Sequence, residues 1–348
     1  MIKVAIQILV ILVFGLLFCF SKPNIAGEQQ HDFSAYALLR YENDARLVGQ
    51  PSRERMRLIA RASLLSEWSP KWQTKLTVGT GLRNKQNVPA ITVYRFTEQN
   101  QPDTDIFINQ AYVQYSAEDF QIRAGKQPWD FFNITDTFWD RDLNPIGISL
   151  RYKPENAHTF NFASLLPLDG ENDTVGQLYV GQYHLEQKQG SLGLAFAPWF
   201  AYYNGQNSAR FATRDTQFDH RSVRLSTALK YQKWQFGMDL GLALNTPDED
   251  KDQNFSIATE LRYGSLKEPK SSLWQVSYSH VELFAVIREF GQNARSGLLT
   301  TNYNGWDFRY RYRLNKKLWI GTRFSRMNSL EGQTVSSNRF RIEGRWSF

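Results

Sequence analysis

The 348-residue chain contains one cysteine, Cys19, so no internal disulfide can hold it together and stability must come from strand or helix pairing and packing. Long apolar runs are missing after residue 20, and the mean hydropathy of −0.48 excludes a bundle of membrane helices. It does not exclude a membrane barrel, whose strands are only half apolar. There is no glycine-rich phosphate loop and no serine elbow. The five histidines, His31, His158, His184, His220 and His280, are scattered without metal-ligand spacing. "DEDKDQN" (248–254) lacks the glycine and the spacing of a calcium loop and reads as a solvated loop. No metal and no cofactor is expected.

What the chain does have begins with an address. Lys3 precedes an apolar run from Val4 to Phe20, followed by a short polar stretch ending at Ala26. That order predicts a signal peptide over 1–26, leaving 27–348 as the exported domain. Phe18 is too bulky to precede a lipidated cysteine, which argues against processing at Cys19. Without Lys3 and Lys22 the formal charge falls from +7 to +5, a modest excess that does not call for a nucleic-acid partner.

From there to the end one pattern repeats. In "DFRYRYRLNKKLWIGTRFSR" (307–326), aromatics and arginines take turns, so a strand would carry an aromatic face and a guanidinium face. "WQFGMDLGLAL" (234–244) sets Trp234, Phe236, Met238, Leu240, Leu242 and Leu244 against Gln235, Gly237, Asp239, Gly241 and Ala243. "RERMRLIARASLL" (53–65) and "SVRLSTALKY" (222–231) alternate in the same way. Sixteen such strands are expected, beginning near Phe33, Arg55, Trp72, Ile106, Phe120, Gly147, Thr159, Val175, Leu192, Val223, Trp234, Phe255, Leu273, Trp306, Leu318 and Arg339.

The connections alternate between short turns, such as "EWSPKW" (67–72), "EQKQG" (186–190) and "LNKKL" (314–318), and longer loops at 84–105, 128–146, 204–221, 245–254 and 282–303. Shorter loops of the second series fall near 43–52, 167–174 and 329–334. An even strand number with alternating connection lengths predicts an all-β fold: a transmembrane antiparallel β-barrel of about 16 strands, with short periplasmic turns and long outer loops, in the outer membrane of a Gram-negative bacterium. Several apolar faces end in Trp or Tyr (Trp72, Tyr231, Trp234, Tyr263, Trp274, Trp306, Trp346), as at a membrane interface. A soluble sandwich alternates too, but its outer face carries Lys and Glu rather than Arg mixed with Gly and Ala.

A charge facing lipid at the midplane costs roughly 2–4 kcal/mol, which turns the arginines inward. Closing the barrel joins the last three strands to the first two and predicts a basic inner wall of Arg40, Arg55, Arg57, Arg61, Arg309, Arg311, Arg313, Arg323, Arg339, Arg341 and Arg345, with Arg123 on a further strand. Its acids are expected to be Glu42, Glu54, Asp307 and Glu343. "QPWDFFNITDTFWDRDLNP" (127–145) carries Asp130, Asp136, Asp140 and Asp142 among Trp129, Phe131, Phe132, Phe138 and Trp139. So many aromatics are a poor choice for a loop in solvent. They predict a segment, 128–146, folded against the inner wall with its carboxylates toward the arginines opposite, as a constriction. Mutual neutralisation of the two charge sets is the plainer alternative.

"DIFINQAYVQY" (105–115), "IRAGKQPW" (122–129) and "WDRDLNPIGI" (139–148) resemble segments of a porin family of Gram-negative bacteria, with a Gln-Ala-Tyr strand core, a Gly-Lys strand end and an aromatic loop reaching Asp-Leu-Asn-Pro. More distantly the chain is similar to the sixteen-stranded general porins, although the Pro-Glu-Phe-Gly-Gly signature of their third loop is absent. The resemblance implies passive diffusion of small hydrophilic or anionic solutes through a water-filled pore, without covalent chemistry, and leaves a homotrimer open. The final strand, "RFRIEGRWSF" (339–348), resembles the signal read by the barrel assembly machinery, its outward series being Phe340, Ile342, Gly344, Trp346 and Phe348. The partners implied are outer-membrane lipid, the solutes and that machinery. Two other readings stand beside the channel: a structural or adhesion barrel, and a barrel enzyme of lipase or protease type using His280 with Ser277 or Ser279.

Overall fold

The computed structural model describes residues 30–46, 52–81, 89–96, 105–155, 157–167, 176–204, 219–246, 252–287, 290–291, 301–332 and 336–348. The expected signal peptide with Cys19 lies outside them, as do most of the long loops and the first half of "DEDKDQN".

Among the described residues seventeen strand segments make one antiparallel sheet: β1 (Gln30–Arg46), β2 (Arg53–Glu67), β3 (Trp72–Thr80), β4 (Ile91–Arg95), β5 (Ile106–Ser116), β6 (Phe120–Lys126), β7 (Ile146–Glu155), β8 (His158–Leu166), β9 (Leu178–Gln189), β10 (Leu192–Tyr203), β11 (His220–Tyr231), β12 (Trp234–Ala243), β13 (Phe255–Gly264), β14 (Ser272–Val281), β15 (Tyr303–Arg313), β16 (Leu318–Ser329) and β17 (Ser336–Ser347). Each pairs with the next in the chain, except that β3 passes to β5 and β4 pairs with β2, and β1 pairs with β17 from Tyr36↔Ser347 to Arg46↔Ser337, which closes the sheet. β4 falls within the segment read as the loop 84–105. It pairs with β2 beyond the end of the β2–β3 ladder and runs the same way as β3, so the two share one position and the barrel has sixteen.

Period-two sequence becomes two surfaces. On β15, Trp306 and Phe308 face outward and are about half exposed, whereas Asp307 between them is buried. Phe340, Ile342, Trp346 and Phe348 of the last strand lie on the same outer surface. A water-soluble barrel would bury such residues; here the sheet wears them outside, as a bilayer-spanning wall does. Trp72, Tyr231, Trp234, Tyr263 and Trp274 are likewise exposed, near the short-turn ends of their strands.

Local chemistry fixes the turns. Between β9 and β10 the chain reverses through Gly190 and Ser191, with Gly190 at φ 59°, a left-handed conformation that glycine adopts without strain. Sixteen positions give a barrel too wide for the inward side chains of its strands to fill. Part of that space is taken by two connections, described next.

Candidate functional site

The inner face of β15, β16, β17, β1 and β2 is a continuous charged wall. Cross-strand register sets Glu42 of β1 between Arg55 of β2 and Arg341 of β17. Glu42 accepts from Arg341 Nε at 2.6 Å, pairs with Arg55, and lies 3.5 Å from Arg57. Asp44 repeats the arrangement two residues along, with Arg53 at 3.1 Å, Arg55 at 3.2 Å and Arg339 Nη2 at 3.1 Å. Both carboxylates are fully buried. Asp307 receives Arg309 and Arg323, each at 2.7 Å, and Arg40 meets Glu343 at 3.0 Å. Arg311 donates to Gln275 and lies over the Trp319 ring; Arg345 lies 3.8 Å from the centroid of Tyr36. Arg313 donates to the carbonyls of Leu266, Asn315 and Lys316 and so ties two short turns together at the end of the barrel.

Two acids need correction. Glu54 is not on this wall: it hydrogen-bonds Tyr41 on the outer face, because even-numbered positions of β2 point outward. Asp44, read as part of the loop near 43–52, belongs to β1 and is a hub of the wall. The signal for it was the series Arg40, Glu42, Asp44, which keeps period two past the presumed strand end. Arg53 was missed for the same reason.

The segment 127–145 lies inside the barrel. Gln127 N donates to Pro145 O at 2.9 Å and closes its base. Trp129 stacks on Trp139 at 4.3 Å, and both pack with Phe131, Phe138 and Leu143 against the inward residues Leu165, Val180, Trp199 and Tyr203. Gln182 of β9 grips Phe132 at both ends of its peptide, accepting from its N at 2.8 Å and donating to its O at 2.9 Å. Asp239 of β12 accepts from Ile134 N, Thr135 N and Thr135 Oγ1. Each aromatic of this kind removed from water contributes about 1.5–3 kcal/mol, so the packing answers why the segment is aromatic.

A second connection joins it. Residues 282–287 and 290–291, read as the start of an outer loop, turn inward: Ala285, Val286, Ile287 and Phe290 are buried in the same cluster, and Asp140 N donates to Phe290 O at 2.6 Å. Together the two segments pack against inward residues of β8, β9, β10 and β14, with Tyr303 of β15 and Met327 of β16 in the same cluster.

The four loop acids have different partners. Asp142 reaches Arg61 of the basic wall at 2.7 Å. Asp130 pairs with Arg123 of β6 and lies 3.8 Å from Arg151 of β7. Asp136 pairs with Arg141 of its own segment at 2.8 Å. Asp140 is buried and accepts from Asp142 N at 2.9 Å; burial, then the charges of Asp142 and Asp136, hold its carboxyl well above the usual range. Asp142 therefore pairs directly with an arginine of the wall, and the charge of Asp136 acts on Arg309 as well.

No protein family and no curated protein matches the chain by sequence. Solved structures match it over nearly its whole length. OprB of Pseudomonas putida has a TM-score of 0.62 at 10% identity, covering 91% of this chain and 94% of that one. OccK9 (OpdG) of Pseudomonas aeruginosa has 0.52 at 9%, covering 92% and 99%. A loop-deletion form of OmpT, an outer membrane protein of Vibrio cholerae, has 0.52 at 13%, covering 92% and 100%. The fold is that of outer-membrane barrels such as these.

The base and the nucleophiles of the enzyme reading do not meet. Ser277 and Ser279 of β14 point into the barrel, whereas His280 points outward beside Glu282, so alternation separates the base from either nucleophile. Among the described residues no group of His, Cys, Asp and Glu could hold a metal ion.

Proposed function

We propose that this protein is an outer-membrane porin: a water-filled channel for passive diffusion of small hydrophilic solutes or ions. The observation that carries the reading is the inner surface. A wall on which arginines outnumber carboxylates lines a barrel of sixteen positions, and a folded-in segment faces it across the lumen. Focused between low-dielectric walls, that surplus of guanidinium raises the local concentration of anions, so anions and small carboxylates pass more readily than cations. Arginine suits the role because it stays charged when crowded and presents a planar fork to carboxylates.

In this reading the Asp142–Arg61 pair, where the folded-in segment meets the wall, lies on the path. In this reading the chain is exported by residues 1–26, enters the outer membrane through the assembly machinery acting on its last strand, and stands with its short turns in the periplasm. The test is reconstitution in a planar bilayer under a salt gradient, where stepwise conductance with a reversal potential of anionic sign supports the reading. A sealed membrane counts against it.

A further inference from the structure

We infer that the inner face of β12 is a cleat that sets how far the 127–145 segment stands out into the lumen, making Asp239, Gly237 and Gly241 positioning residues for the aperture. The inference rests on the channel reading. It comes from three successive inward positions, of which two take the segment itself and the third makes room for Arg224, which lies against it.

The central position is Asp239, buried in the wall. Its carboxylate accepts from Ile134 N at 3.1 Å, Thr135 N at 2.6 Å and Thr135 Oγ1 at 2.6 Å. A carboxylate that gathers two backbone N–H groups and a hydroxyl fixes a loop as a capping residue fixes a helix end. The neighbouring positions are empty by composition. A Cβ at Gly237 would stand 2.5 Å from Ile134 Cγ2, so the Ile134 side chain occupies the room a larger residue would fill. A Cβ at Gly241 would stand 2.5 Å from Arg224 Cζ. Arg224, across the ladder on β11, uses that room to lie 4.4 Å from the Phe138 ring centroid and 5.3 Å from that of Trp199. It also donates to Ala285 O and Ser256 Oγ, each at 3.4 Å, reaching the second folded-in connection.

The base of the segment is closed by Gln127 and Pro145, so its freedom lies at the apex, residues 132–137. That apex is keyed to β12 by shape at Gly237 and by hydrogen bonds at Asp239, while Arg224, lodged beside Gly241, holds Phe138 just past it. Its distance from β12 decides how much of the lumen remains opposite the arginines.

The experiment uses the full chain with Cys19→Ser and Asn133→Cys, so that the apex carries the one thiol. Its labelling by a bulky water-soluble maleimide is followed together with single-channel conductance, and heat-modifiable gel mobility confirms folding. Asp239→Leu is expected to raise the labelling rate on the order of ten-fold, as a locally opened segment would, and to make the open current noisy. Gly237→Val leaves Asp239 in place but wedges Ile134 off the wall, and is expected to lower conductance. Gly237→Ala is expected to do the same more weakly, and Ile134→Ala in the same chain to restore the parent value. Should Asp239→Leu fail to fold, this pair of substitutions still decides. A parent without conductance steps sinks the channel reading. A conducting parent whose labelling and current are unmoved by Asp239→Leu and Gly237→Val sinks the cleat.

Discussion

Arg61 of β2 and Asp142 of the folded-in segment meet at 2.7 Å, an ion pair that joins the basic wall to the structure lying opposite it. The two residues are 81 positions apart in sequence, and both keep some access to solvent. Arg61→Gln removes the cation and leaves Asp142 to face the lumen alone. The reversal potential in a salt gradient is expected to move toward cation preference, and Asp142→Asn is expected to move it the other way. Equal shifts of the same sign for both variants would contradict the placement of this pair on the path.

Glu42 tests the wall itself. It sits among Arg55, Arg57 and Arg341, fully buried, so its removal leaves cations facing one another without their counter-charge. Breaking a buried pair by deleting one partner costs about 3–5 kcal/mol. Glu42→Ala is expected to lower stability by that order in urea unfolding followed by tryptophan fluorescence, and to strengthen anion preference in the barrels that still fold.

The outer face makes a separate prediction. Phe308 faces outward between Trp306 and Tyr310 on β15. Phe308→Arg places a charge in the lipid-facing band and is expected to cost roughly 2–4 kcal/mol of folding stability in bilayers. A neutral effect would place this face away from lipid.

Much of this was legible in the sequence. Strand periodicity is local: each residue's face follows from parity alone, so the sixteen positions and the inward direction of Arg40, Arg55, Arg57, Arg61, Arg309, Arg323, Arg339 and Arg341 could be read from alternation. Glu54, one residue out of step with Arg55, was wrongly expected on the wall, and Asp44, in step with Glu42, was wrongly left in a loop. What alternation cannot supply is the destination of a connection. The aromatics of 127–145 signalled burial, whereas 282–303 was read as an outer loop, and only the folded chain shows that Ala285, Val286, Ile287 and Phe290 share a core with the first segment. The partners of Asp136 and Asp140 depend on that loop conformation and leave no mark in spacing.

Asp140 carries the pH dependence. Burial and the neighbouring Asp142 and Asp136 raise its carboxyl well above its ordinary value of 3.8, against a smaller opposing effect of Arg61. A raised acid is protonated in the folded segment, so its contribution is fully present below the ordinary value and is lost as pH climbs through the raised one. Packing of the segment, read by the fluorescence of Trp129 and Trp139, is therefore expected to loosen with rising pH. Asp140→Asn keeps the acceptor for Asp142 N and is expected to flatten that dependence. An unchanged profile would assign it to another group.

The account turns on whether water and ions cross the barrel beside the arginines. Purified protein in a planar bilayer with a ten-to-one potassium chloride gradient answers this directly. Stepwise openings whose reversal potential has the sign of chloride preference, weakened when Arg323 and Arg341 are replaced by Gln, are what the structure predicts. A bilayer that stays sealed, or openings indifferent to those two replacements, would contradict it.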